Sequence, residues 1–305
     1  MQATISVREL RKSYGSLAAV DGVTFEVGHG EFFAILGPNG AGKTTTLEIL
    51  EGLRKPDSGE VTVLGQHTWP RNPKLLPRMG VQLQASSFFE RLTAREQIET
   101  FASLYGVGAK RADEMLGIVG LTEQAGTQWE KLSGGQAQRL SIACALVHDP
   151  ELIFLDEPTG ALDPQARRNL WDLLRKINAD GRTVVLTTHH MDEAEILCDR
   201  VAIMDHGKIL EAGPPAALVR GLDQAIRISV ESGLLDAAQA EVLAARAGGG
   251  ASDVSDDGVS LTIATRQPAT VLAGLADRTA LTGLRVQGAT LEDVFLQLTG
   301  REYRA

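Results

Sequence analysis

Apolar and polar residues alternate along 4–10 (TISVREL) and 18–27 (AAVDGVTFEV), with Gly as punctuation, a period of two that predicts antiparallel strands in a small β-layer. Residues 32–36 (FFAIL) are apolar throughout and run into a Gly-rich turn; KTTTLEILEGL (43–53) follows and places Leu47, Leu50 and Leu53 on one helical face. This predicts a buried strand, a loop and a helix. From about 85 to 150 the pattern becomes helical. Thr93 and Glu96 have the spacing of a capping box, and LSGGQAQRLSIACALV is expected to begin a helix after its Gly pair. Two further apolar runs, LIFLD and VVLTT, flank the helical RRNLWDLLRKI, which indicates a parallel sheet with crossover helices. The hairpin pattern VAIMDHGKILEAG closes this large part. Beyond residue 222, IRISV, DAAQAEVLAARA, VSLTI, ATVLAGLADRTA, LRVQG and TLEDVFLQLTG alternate strand and helix on a smaller scale, as a βαββαβ unit would.

The expected fold is therefore α/β, with two domains. Residues 1–221 form a mixed-sheet domain with an N-terminal antiparallel β-layer and a helical insert at about 85–150, and residues 222–305 form a small α+β, ferredoxin-like domain. The length of 305 residues accommodates both. Hydrophobic residues at 43% and charged ones at 23% are ordinary for a globular chain and exclude disorder. A net charge of -9 argues against nucleic acid as partner, since phosphate neutralisation needs clustered Lys and Arg. No signal-peptide pattern opens the chain, and no run approaches the roughly 18 apolar residues needed to span a bilayer; a membrane role would have to be borrowed from a partner. Cys144 and Cys198 stand alone in apolar segments, as reduced core thiols rather than metal ligands.

GPNGAGKT (37–44) fits the phosphate loop G-x4-G-K-[ST] and lies between a predicted strand and a predicted helix, as that motif requires. Gly37, Pro38, Asn39, Gly40, Ala41 and Gly42 would wrap the backbone around a polyphosphate, all but Pro38 with an N–H to offer, Lys43 would neutralise its oxygens, and the Thr44 hydroxyl would reach Mg²⁺, with Thr45 beside it. LIFLD ends in Asp156, placed to hold the metal shell through water, and Glu157 follows as the candidate general base. LSGGQ offers Ser133, Gly134, Gly135 and Gln136 at a helix start, a second anion-cradling surface. The ligand these imply is a triphosphate nucleotide with Mg²⁺.

Over residues 1 to about 220, GPNGAGKT, LSGGQ, LIFLDEP and TTH in this order resemble the ATP-binding cassette ATPases. The resemblance implies a head-to-tail dimer, the expected partner being a second copy in a homodimer, in which LSGGQ of one cassette closes over the phosphate loop of the other. It implies a Q-loop role for Gln84 toward Mg²⁺ or the lytic water, although Leu83 stands where many relatives have Pro. His189 resembles the switch histidine that holds Glu157 and water, with His190 a neighbouring loop residue. Asp163 resembles the D-loop aspartate, with Gly160 where Ser is frequent, and Tyr14 resembles the aromatic that stacks on adenine. Phe88 and Phe89 follow the Q-loop, where such ATPases receive a coupling segment of an integral membrane permease. TTHHMDEAE and the TLEDVFLQLTG tail are similar to the exporter branch of the daunorubicin and multidrug resistance type, which implies a cytoplasmic subunit held at the membrane by its permease and exporting drugs, lipids or other amphiphiles. The alternatives are a soluble cassette ATPase acting on ribosomes or DNA, and a nucleotide-gated module that does not hydrolyse.

Overall fold

The computed structural model describes residues 3–82, 88–222, 226–250, 253–278 and 281–300. Among them the chain separates into two compact units, one running to Pro215 and the other beginning at Ala216.

The first unit opens with β1 (Ile5–Tyr14), β2 (Leu17–Val27) and β3 (Phe32–Leu36), followed by α1 (Lys43–Leu50), β4 (Ser58–Val63), β5 (Gln66–His67) and β6 (Met79–Gln82). Next come three helices, α2 (Ala94–Leu104), α3 (Lys110–Ile118) and α4 (Gly134–Leu146). The unit is completed by β7 (Leu152–Asp156), α5 (Pro164–Ala179), β8 (Thr183–Thr188), α6 (Met191–Leu197), β9 (Arg200–Asp205) and β10 (Lys208–Gly213). An antiparallel sheet ordered β2-β1-β4-β5 forms the N-terminal layer. The main sheet runs β10-β9-β3-β8-β7-β6, parallel except for the edge hairpin of β9 and β10. Its inner strands β3, β7 and β8 are buried at every residue, which is why their sequences show no alternation. Phe25 of the β-layer stacks on Phe33 of β3 with ring centroids 5.3 Å apart, and both belong to one core with Ile5, Leu50 and Phe154. Each such large side chain, fully buried, stabilises the fold by about 1.5–3 kcal/mol.

Two local expectations are corrected. The first helix ends at Leu50, and Gly52 turns the chain at φ 72°, so Leu53 leaves the Leu47 and Leu50 face and is 50% exposed. The signature helix does not wait for the Gly pair: Ser133 caps it, and Gly134 and Gly135 form its first turn, because the reciprocal Ser133 and Gln136 hydrogen bonds satisfy the end. The Thr93 and Glu96 capping box forms as its spacing predicts.

The second unit contains β11 (Ile226–Glu231), α8 (Ala237–Arg246), β12 (Val254–Asp256), β13 (Ser260–Thr265), α9 (Pro268–Ala276), β14 (Arg285–Gln287) and α10 (Leu291–Thr299), after a short α7 (Pro215–Arg220) at the division. Its sheet is antiparallel throughout, ordered β12-β13-β11-β14, which is the βαββαβ ferredoxin-like arrangement. Ile228, Val230, Leu243, Ile263, Val271 and Leu275 build a separate core. The TLED of the tail is a capping box: Thr290 caps α10 while Asp293 bonds back to its N–H at 2.9 Å and pairs with Arg227 at 3.0 Å.

Candidate functional site

Strand order brings the motifs together. The phosphate loop follows β3, Glu157 follows β7 and His189 follows β8, and β8 lies between β3 and β7, so three distant segments meet at the carboxyl ends of adjacent strands.

The phosphate loop is shaped by close backbone packing. A Cβ on Gly37 would stand 2.1 Å from the Met204 carbonyl oxygen, and one on Gly42, at φ 106°, would stand 2.1 Å from that of Ala19. Neither position admits a side chain. Gly42 is the N-cap of α1 and supplies no capping side chain, so the first-turn N–H groups are left for an anion. Lys43 folds back over this loop, donating from Nζ to the Gly37 and Pro38 carbonyls at 2.9 and 3.1 Å, and it ion-pairs with Glu157 Oε1 at 3.1 Å while only 4% exposed.

Glu157 is a non-glycine residue at φ 46°, a left-handed conformation that costs on the order of 1 kcal/mol or more. Its N–H is held by the carbonyl and hydroxyl of Thr187, each at 3.1 Å. Burial alone would raise its pKa, but Lys43 and the His189 ring, whose Nδ1 is 3.2 Å from Oε2, outweigh burial and hold the carboxyl below its ordinary range. Asp156 differs: burial raises it above its ordinary value, against hydrogen bonds from Thr187 and Thr44. The Thr44 hydroxyl reaches Asp156 Oδ1 at 3.3 Å, and Thr187 donates to the same oxygen. Thr187 was missed in the sequence; a hydroxyl interrupting the apolar VVLTT is the signal that could have found it.

Other expected residues take separate places. Ser133 and Gly134 are exposed at the start of α4, and Gly135 packs on Ala166 of α5, where an added Cβ would stand 3.1 Å from its Cβ. Asp163 caps α5, accepting from the N–H groups of Gln165 and Ala166 at 2.9 Å. Gly160 leaves room, for an added Cβ would meet nothing nearer than 3.7 Å, its neighbours being Glu157 and His189. Tyr14 is 41% exposed, with Arg54 5.3 Å from its ring centroid. His190 is the N-cap residue of α6, half-buried, with its ring 4.1 Å from that of His189, and burial lowers its pKa. Just beyond, Glu193 is fully buried and accepts from Trp171 Nε1 at 3.1 Å, pinning α6 behind the histidines. Gln84 lies outside the described residues. Among those described, no group of His, Cys, Asp and Glu could form a metal cage, and no helix is long and apolar enough to cross a membrane.

Residues 20–160 match the family described as ABC transporter. The chain is 37% identical to linearmycin resistance ATP-binding protein LnrL of Bacillus subtilis (strain 168), covering 98% of this chain and 99% of that one. The chain belongs to the ABC transporter family. It is an ATP-binding and ATP-hydrolysing subunit of the export branch. Nod factor export ATP-binding protein I of Burkholderia orbicola (strain AU 1054) is 39% identical, covering 98% of each. Among solved structures, a dimeric ATP-binding cassette in a post-hydrolysis state with ADP and phosphate is 32% identical at a TM-score of 0.64, covering 69% of this chain and 98% of that one. A Clostridium perfringens cassette, part of an ABC transporter complex, is 28% identical at a TM-score of 0.67, covering 72% of this chain and 92% of that one.

Proposed function

We propose that two copies of this cassette ATPase pair head to tail on a separate membrane permease at the cytoplasmic face, and drive the export of drugs, lipids or other amphiphiles. The carrying observation is the contact of Lys43 with Glu157 at 3.1 Å. It couples phosphate binding to base activation. The cation that must meet the nucleotide is also the partner of the base, and it helps hold the Glu157 carboxyl below its ordinary range. Lys43 would turn to the oxygens of a triphosphate held by the glycine loop, which would leave Glu157 free to accept a proton from water. His189, at 3.2 Å from Oε2, then keeps the carboxylate oriented.

Thr44 and Asp156 fit Mg²⁺: a hydroxyl and a carboxylate converge at 3.3 Å as hard oxygen donors. When bound, the ion neutralises charge on the phosphate oxygens. Gln84, by resemblance, joins this set. Ser133 and Gly134, exposed at the start of α4, suit a phosphate held by the opposite copy. Asp163 then lies on the seam, and Tyr14 presents its ring to adenine. Phe89, 50% exposed, and Phe88, packed on Trp129 at 5.3 Å, mark where the permease docks. Two relatives, one named for Nod factor export and one for linearmycin resistance, support export, and the amphiphile class rests on the resemblance to the drug-export branch.

The test is phosphate release by the purified chain, together with its recovery from membranes of the source cell. Turnover that falls about 10²-fold or more in Glu157→Gln, with nucleotide still bound, supports the base assignment; turnover at the wild-type rate refutes it. Recovery with ribosomes or DNA in place of a membrane protein would favour the non-transport alternative.

A further inference from the structure

A cavity of about 380 Å³ lies in the first unit, bounded by the end of α1, strand β6 and helices α2 and α4. Its walls are largely apolar, with Met79, Val81, Phe88, Phe101 and Cys144 among them. One carboxylate is set into this lining. Glu51 is only 5% exposed, and its Oε1 has no hydrogen-bond partner among the described residues. The nearby charges on its own side are negative: Glu48 on α1 and Asp156 on β7 add to burial in pushing the Glu51 carboxyl up to about 8. Among the described residues, two arginines of this region are engaged elsewhere, and His148 of the lining bonds the Met79 carbonyl at 2.9 Å. Arg54 donates to Glu48 at 2.5 Å, and Arg71, exposed on the rim, acts on Tyr105 rather than on Glu51.

We propose that this cavity is a socket for one Lys or Arg side chain carried by a segment of the membrane permease, with Glu51 as its counter-charge. The inference rests on the permease reading above and adds the chemistry that the docking segment must present. A buried, unpartnered acid is costly until a cation reaches it. Lys and Arg combine an aliphatic stem with a charged head, which matches apolar walls around a single acid. The volume is at the small end of ligand sites, roughly 300–1,000 Å³, and suits one inserted side chain rather than a bulky cargo. The face is continuous with Phe88, so stem, rim and counter-charge belong to one surface.

Two measurements test this on the full chain. Phenethylguanidinium and its neutral analogue phenethylurea are titrated into wild type and Glu51→Gln, followed by tryptophan fluorescence, with retention of the ATP-induced thermal shift as the check on folding. The guanidinium is expected to bind wild type at least about tenfold more tightly than the urea, with the preference lost in Glu51→Gln. Equal binding of both probes, or a preference that survives Glu51→Gln, overturns the socket. The chain is then purified with its permease in detergent. Glu51→Lys, which places like charge against the incoming cation, is expected to reduce recovery of the permease at least about tenfold, and Glu51→Gln less. Equal recovery by all three chains refutes the proposal and leaves the permease reading intact, even if the guanidinium binds, since the socket would then serve a small organic cation. Failure of wild type itself to recover any permease refutes the reading beneath it.

Discussion

Replacing Glu51 by Gln isolates the cost of the buried acid, since the amide has nearly the same shape and cannot ionise. In the unfolded chain the carboxyl titrates near 4.5, and in the folded chain near 8. Between these values folding takes up a proton, so wild-type stability falls as pH rises; below about 4.5 the cost is absent, and above about 8 it is complete. At about 1.4 kcal/mol per pH unit, the full gap corresponds to on the order of 5 kcal/mol. Glu51→Gln lacks this dependence, so its stability relative to wild type should improve by about 3 kcal/mol between pH 5.5 and pH ~8.5. Urea unfolding of the nucleotide-free chain, followed by tryptophan fluorescence, measures it. The three tryptophans, Trp69, Trp129 and Trp171, all lie in the unit that holds Glu51, so the signal reports that unit. A difference between the two proteins that stays constant within about 0.5 kcal/mol across this range would show that Glu51 is not held protonated by burial.

The remaining predictions concern geometry. Gly42→Ala places a Cβ 2.1 Å from the Ala19 carbonyl oxygen at φ 106°, and should cost at least about 1–3 kcal/mol and abolish ATP binding, measured by unfolding and by nucleotide titration. Gly160→Ser meets no atom within 3.7 Å of its Cβ, so its stability should stay within about 0.5 kcal/mol of wild type and ATP hydrolysis should persist. Thr290→Ala removes the α10 capping box and should destabilise the second unit by about 1 kcal/mol, seen by circular dichroism, without changing nucleotide affinity. Lys43→Ala should lose nucleotide binding and also relieve Glu157 of its ion pair, so a carboxyl titration followed by NMR should move upward; an unmoved Glu157 would disprove their coupling.

Much of this protein was legible in order along the chain. Unbroken apolar runs marked β3, β7 and β8 because strands buried on both faces cannot alternate. The small-scale alternation after residue 222 predicted a ferredoxin-like unit, and the observed strand order has that form. The ATPase family was legible in GPNGAGKT, LSGGQ and LIFLDEP, since phosphate chemistry demands particular residues at fixed local spacing. Errors came where a local pattern met a local competitor: helical periodicity carried Leu53 into α1, but Gly52 ended the helix first.

What the sequence determined, then, was the inventory of chemical groups and the elements that carry them, because both depend on near neighbours. Tertiary structure decided which groups meet. Lys43 and Glu157 are far apart in the chain, and only the placement of β8 between β3 and β7 brings them to 3.1 Å. The same holds for Thr187, whose hydroxyl joins Asp156 to the Glu157 backbone, and for Glu51, which reads as one more polar residue on a helix. Its burial, its unpartnered oxygen and its raised pKa arise from β6, α2 and α4 closing around it. Desolvation and charge pairing depend on distance through space, and no local pattern encodes that distance.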